Sequence, residues 1–252
     1  LDMIRYISLL LFIGFTWGQN CTANDGTDGV ELWGECYSIE NTTGLDLSYI
    51  GVTGEIPPEI GNLINLSSLI LKENQFSGII PPEIGSLTNL TDLDLGGNQL
   101  SGEIPPEIGL LTNLNILDLA GNQLSGTIPP EIGELENLTE LELGGNLITG
   151  AIPPEIGDLE SLTFIHLEYN QFTGSIPSEI SNLSNLVWLN FVHNQLTGEI
   201  PESICDLNMN WSDLNNFNIS ENQLCPPYPG CIEAYTGEQD TSGCEQVWII
   251  DE

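Results

Sequence analysis

The sequence predicts an α/β solenoid, a single elongated stack of short coils. Three observations carry this expectation. A 24-residue unit recurs along most of the 252-residue chain, so that "LTNLTDLDLGGNQLSGEIPPEIGL" (87–110) returns as "LTNLNILDLAGNQLSGTIPPEIGE" (111–134). Within each unit the apolar residues alternate as in a short half-buried strand, then give way to Gly and paired Pro. All six cysteines fall before the repeat or at and after its close. A unit of this size cannot bury its own apolar face, so neighbours must stack.

Taken in order, residues 1–18 read as an export signal. Met3-Ile-Arg5 supplies a positive start, "YISLLLFIGF" (6–15) an apolar stretch too short to span a bilayer comfortably, and "TWG" (16–18) a small residue before Gln19. A secreted or cell-surface product is expected, soluble and monomeric, with no membrane span: the apolar "VWII" near the end is only four residues long. Residues 19–40 form an N-terminal cap in which Cys21 is expected to pair with Cys36, as exported proteins staple their ends. Residues 41–224 carry about eight repeat units, and 225–252 a C-terminal cap or tail. Cys205, Cys225, Cys231 and Cys244 allow three pairings, and the sequence does not choose among them.

Inside a unit, "LxxLxLxxNxL" sets the local physics. The central "LxL" is a strand whose leucines point inward. The Asn that follows (Asn74, Asn98, Asn122, Asn146, Asn170 and Asn194) is expected to satisfy backbone groups where the strand turns away. Gly and the Pro pair then forbid continuous helix, so an extended "GxIP" piece and a brief helical or 3₁₀ turn should follow.

These motifs resemble the plant-type leucine-rich repeat, LxxLxxLxLxxNxLxGxIPxxIGx, of plant receptor-like kinase ectodomains and polygalacturonase-inhibiting proteins. The flanks "LWGECYSIENTTGLDLS" and "LCPPYPGCIEAYTGEQDTSGC" look like the caps of bacterial exported proteins that use the same repeat. The resemblance implies a right-handed curved coil whose concave parallel sheet binds a partner. The chain is expected to depart from plant receptors in carrying no transmembrane helix and no kinase.

Charge narrows the partner. Two Lys plus Arg against 37 Asp plus Glu give a net charge of −35, so nucleic acid and anionic membrane surfaces are excluded. Lys72 is the one cation after the signal. Protein, peptide and glycan ligands remain.

The variable slots of the strands face outward and fall into two zones. Middle units present Asp92, Asp94, Asp118, Glu140 and Glu142 beside Gly and Ala; later units present Phe164, His166, Glu168, Tyr169, Trp188, Asn190 and His193. Stacked strands put like charges about 4.8 Å apart, a repulsion near 1 kcal/mol in water. A Ca²⁺ ion or cationic partner would relieve it; the alternative is general acidity tolerated in salty surroundings, since acid also fills the "PPEIG" slots from Glu59 to Glu179. The aromatic zone is a candidate anchor for a sugar ring or peptide, against the alternative that its rings pack on one another. His166 and His193 lie in different columns, unsuited to sharing a metal ion. No Ser-His-Asp set, metal-ligand spacing or phosphate loop is present, and carboxylates such as Asp92 and Asp94 are expected to lie open, with nothing to desolvate them or separate their acidities. No enzyme and no cofactor are expected; structural, adhesion or mineral-contacting roles are the alternative to ligand recognition.

Overall fold

The structure is a computed structural model that describes residues 20–213 and 216–244. The export signal and the apolar "VWII" lie outside the described residues. The solenoid is as the repeat predicts. Eight strands, Gly44–Asp46, Ser68–Ile70, Asp92–Asp94, Ile116–Asp118, Glu140–Glu142, Phe164–His166, Trp188–Asn190 and Phe217–Asn218, form one parallel sheet in chain order, which lines the concave side of a right-handed coil. Its register is the repeat itself: Ile116 pairs Asp92, Leu117 pairs Leu93, and Asp118 pairs Asp94.

The inward leucines are fully buried, with Leu69, Leu93, Leu117, Leu141 and Leu189 all at 0% exposure. Within the repeats, the return segments are 3₁₀ turns, such as Pro82–Ser86 and Pro106–Leu110. Each begins after a Pro in extended conformation, and five of them place a second Pro first, where the missing N–H costs nothing. The "PPEIG" glycine is a close-approach residue: a Cβ on Gly109 would meet the Glu131 carbonyl oxygen at 2.5 Å.

The return piece is extended through its Ile-Pro end as expected, with Pro81 and Pro105 in extended conformation before the 3₁₀ turns. The extended return piece pairs as a strand earlier than "GxIP", on segments such as Gln75–Gly78, Gln99–Gly102 and Gln171–Gly174, which build two further four-stranded parallel sheets. Proline has no N–H to donate, and each of these ladders ends before it, at the glycine in Gln75–Gly78 and Gln99–Gly102 and one residue beyond it in Gln195–Glu199.

The asparagines hold the coils in register. Asn98 Nδ2 donates to the carbonyls of Leu95 (3.0 Å), Gly96 (3.1 Å) and, in the preceding coil, Leu71 (3.1 Å), while its Oδ1 accepts the Phe76 N–H at 3.0 Å. Three acceptors for two N–H hydrogens mean that one is shared. Asn74, Asn122, Asn146, Asn170, Asn194 and Asn222 repeat this pattern, all buried. In the lengthened last unit Asn222 still reaches back, to Phe191 O at 2.9 Å. Beyond it Gln239 performs the same task from the cap, with Nε2 on Ile219 O (2.9 Å) and Oε1 accepting the Leu224 N–H (3.2 Å).

Both ends are sealed. A three-stranded antiparallel sheet (Asn20–Thr22, Asp28–Leu32, Glu35–Ser38) covers the first coil. Its Trp33 packs on Phe76 with ring centroids 5.2 Å apart and donates Nε1–H to Glu55 O at 3.0 Å. Cys21 bonds Cys36 as expected. Of the three pairings open at the other end, the fold selects Cys205–Cys231, which ties the last repeat turn to the cap, and Cys225–Cys244.

Asn122→Ala should lower unfolding free energy in urea by about 3 kcal/mol, because buried carbonyls and an N–H lose their partner together. Asn113→Ala, whose exposed amide makes one bond to Thr88 O, should cost about 1 kcal/mol or less.

Candidate functional site

The concave strands align every slot with its counterparts, so side chains accumulate in columns. One runs Asp46, Ile70, Asp94, Asp118, Glu142, His166, Asn190, Asn218; its neighbour includes Ser68, Asp92, Ile116, Glu140, Phe164 and Trp188. The structure therefore brings the predicted acids and rings together as two adjoining ladders.

Several acids have a local task that the sequence reading missed. Asp46, Asp94 and Asp118 each accept the N–H two residues on, from Ser48 (2.9 Å), Gly96 (3.2 Å) and Ala120 (2.9 Å); Asn190 and Asn218 accept from Val192 and Ser220 in the same way. Each bond is an Asx turn closing the strand, which is why Asp and Asn dominate this slot. Glu142 and His166 occupy it without such a bond.

A second hidden rule governs the slot just before the ladder Asn. Its φ is positive at Tyr49, Glu73, Gly97, Gly121, Gly145, Tyr169, His193 and Glu221. Gly97, Gly121 and Gly145 thus meet a backbone requirement, whereas Tyr169 and His193 hold a left-handed conformation that disfavours them. Their rings stack at 4.5 Å, with Tyr169 58% exposed. A sequence signal for this existed in the recurrent "GGN" and "AGN" triplets.

The expectation of open, solvated carboxylates is overturned. Asp92, Asp118, Glu140, Glu142 and Glu168 are half-buried against one another, and Asp94 is buried. Lys72 Nζ lies 2.8 Å from Asp94 Oδ2, and that bond raises the Lys72 pKa. Burial pushes Asp118 up from 3.8 to about 6, against the lowering effect of the Ala120 N–H. Burial, then the charges of Asp118, Glu140 and Glu168, push Glu142 up from 4.5 to about 7. The stacking of coils removes water from side chains that a lone strand would expose.

The aromatic residues also pack on one another. Phe164 lies 4.4 Å from His166 and 4.9 Å from Trp188, and His166 meets Trp188 edge-on at 5.6 Å. Burial lowers the His166 pKa, with Glu168 opposing; His166 Nδ1 and Glu168 Oε1 are 3.8 Å apart. Three polar atoms here are shielded from water without a partner: His166 Nε2, Glu168 Oε2 and Trp188 Nε1. His166 and His193 stand apart, each stacked in its own column. Among the described residues no group of three or more His, Cys, Asp or Glu is placed to hold a metal ion, and no helix is long and apolar enough to cross a membrane.

Comparison with known proteins agrees with the geometry. Leucine-rich-repeat profiles match residues 65–87, 89–111, 112–172 and 185–207. The chain belongs to the leucine-rich-repeat family. It is similar to the Arabidopsis receptor kinase HAESA, solved in complex with the peptide hormone IDA and the co-receptor SERK1 (34% identity, 77% of this chain, 32% of that one, TM-score 0.72). It is also similar to the ectodomain of the Arabidopsis thaliana receptor kinase GASSHO1/SCHENGEN3, in complex with CASPARIAN STRIP INTEGRITY FACTOR 2 (34%, 79% and 26%, TM-score 0.69). A plant ice-binding protein is a third likeness (29%, 78% and 67%, TM-score 0.58). The chain thus spans about a third or less of the two receptor chains. No curated protein sequence matches.

Asp118 and Glu142 hold protons when folded at pH values where an unfolded chain has released them, so stability is gained as pH falls from about 8 to about 5. This is opposite in sign to Asp25, which hydrogen bonds from Thr27 lower from 3.8 to about 2: its contribution to stability is fully present above about pH 4 and is lost as pH falls toward 2. At pH 8, Asp118→Asn with Glu142→Gln should raise the melting temperature by about 2–4 °C, discounted for partial exposure, and flatten its slope between pH 5 and 8. An unaltered slope would contradict the assignment.

Proposed function

We propose that this chain is a secreted, non-catalytic recognition module that binds a peptide, protein or glycan on its concave face. The observation that carries the reading is the cluster around His166: two aromatic faces, with an acceptor at Glu168 and a donor at Trp188 lacking partners within the fold. Buried polar groups are normally satisfied, and those left over are matched by a ligand that brings the complement. Exposed Tyr169 extends the same face, and aromatic residues concentrate where binding energy does. The peptide hormone bound to HAESA and the factor bound to GASSHO1/SCHENGEN3 support recognition over catalysis. So does the arrangement of the raised-pKa carboxylates, Asp118 and Glu142, in line along a strand ladder rather than across a cleft. Three disulfides suit an oxidising, extracellular setting.

A peptide-library and glycan-array screen, run with and without Ca²⁺, should identify ligands of this face. Trp188→Ala and Tyr169→Ala should each weaken a captured ligand by about 1–2 kcal/mol or more, while Glu131→Gln on a 3₁₀ turn changes nothing. Affinity indifferent to both aromatic substitutions would move the site elsewhere.

A second reading is favoured by the likeness to the ice-binding protein and by the regular flank of the coils. There Asn89, Asn113 and Asn137 each donate to a carbonyl 25 residues earlier. On that reading the protein would meet an ordered lattice through this flank. Thermal hysteresis and faceted ice growth in a nanolitre osmometer would favour it, and their absence would dismiss it.

A further inference from the structure

Within the concave face, composition and geometry together restrict the ligand. Among the described residues no Lys or Arg lies beside the Glu142–His166 end of this column, since Lys72 bonds Asp94 two coils before Glu142. Glu142 sits in register with His166, and Glu168 flanks the same ring at 3.8 Å. The Glu168 charge acts on Glu142 and helps to raise its pKa. Glu168 Oε2 is shielded from water and accepts nothing. Beside these carboxylates, Phe164 and Trp188 present two rings only 33° from parallel, at 4.9 Å.

A neutral sugar would use the rings and leave the carboxylates repelling one another. An acidic peptide would be repelled outright by a chain of net charge −35. A planar cation satisfies both halves, because a guanidinium donates in pairs to carboxylates while its plane and stem lie on aromatic faces. An ammonium ion matches the charge but not the stacking.

We infer that the Glu142–Glu168–Phe164–Trp188 cluster is a receptor site for an arginine side chain of an extended basic peptide segment laid along the concave sheet. This rests on the reading of that sheet as the binding face and names the chemistry of its partner. The guanidinium pairs with the Glu142 and Glu168 carboxylates, its stem runs along Phe164 and Trp188, and further basic residues meet Asp118 and Glu140.

Fluorescence anisotropy of a labelled heptapeptide of alternating glycine and arginine, with lysine and glutamate counterparts, tests this on the folded protein in about 0.1 M salt, where surface attractions are screened beyond about 10 Å. The arginine peptide should bind, the lysine peptide about tenfold more weakly, and the glutamate peptide not measurably. Glu142→Gln and Glu168→Gln, which keep side-chain size and remove charge, should each weaken the arginine peptide about tenfold, with Glu131→Gln within twofold of the parent. Circular-dichroism melting of both variants verifies their folding, and either one alone suffices for the comparison. Equal losses in Glu131→Gln and Glu168→Gln would reduce the effect to general charge attraction and overturn the site. So would arginine and lysine peptides bound alike. Should the arginine peptide fail to bind while an uncharged ligand is lost on Trp188→Ala, the arginine site falls and the concave binding face stands. If no ligand responds to Trp188→Ala, both fall.

Discussion

Seven buried asparagines, Asn74 through Asn222, are the constraint on which the rest of the molecule depends. A chain that turns sharply once per coil leaves carbonyls and N–H groups pointing inward at every turn, where water cannot reach them. Each side-chain amide supplies what a regular helix or sheet would have supplied, within its own coil and in the coil before. That double reach, seen at Asn98 with Leu95 and Leu71, makes the period rigid: an added residue between two ladder positions would strand donors on both sides. The last unit absorbs four extra residues only because the bond from Asn222 to Phe191 is preserved and Gln239 ends the series. The left-handed residue before each Asn follows from the same turn.

Rigid register has a consequence for the outward face. Once every coil is locked to its neighbour, whatever residue type fills a slot is repeated at strand spacing, and local chemistry becomes a column. In the middle coils this places carboxylates in file. Asp94 and Asp118 are there partly because a short acid closes an Asx turn, a reason internal to the fold. Glu142 and Glu168 have no such reason, and beside His166 and Trp188 they lie where three polar atoms are left over together. The transition from acids serving backbone geometry to acids without an internal role coincides with the change from Gly and Ala to aromatic neighbours.

The caps solve a different problem. A stack of coils ends in a bare layer of leucine at each side, and the chain covers one with a hairpin bearing Val30, Leu32 and Trp33 and the other with a segment bearing Ile232. Neither cap has the repeat to hold it in register. Disulfides do so instead, one within the N-terminal sheet and two at the far end, of which Cys205–Cys231 joins cap to solenoid.

How much of this was legible beforehand divides along a physical line. The 24-residue period, the inward leucines, the ladder asparagines and the two chemical zones of the concave face follow from the sequence by itself, because each is a local pattern repeated until chance is excluded. The Cys21–Cys36 pair was legible for the same reason: two cysteines isolated from the rest by the whole repeat. Three things were decided only in the folded molecule. The strands before "GxIP" pair between coils, a property of no single unit. The partners of Cys205 and Cys225 depend on how the cap folds back over the last turn. The acidities of Asp118 and Glu142 depend on water excluded by neighbours a full coil away in sequence, and burial is a property of the stack that the residues themselves do not record.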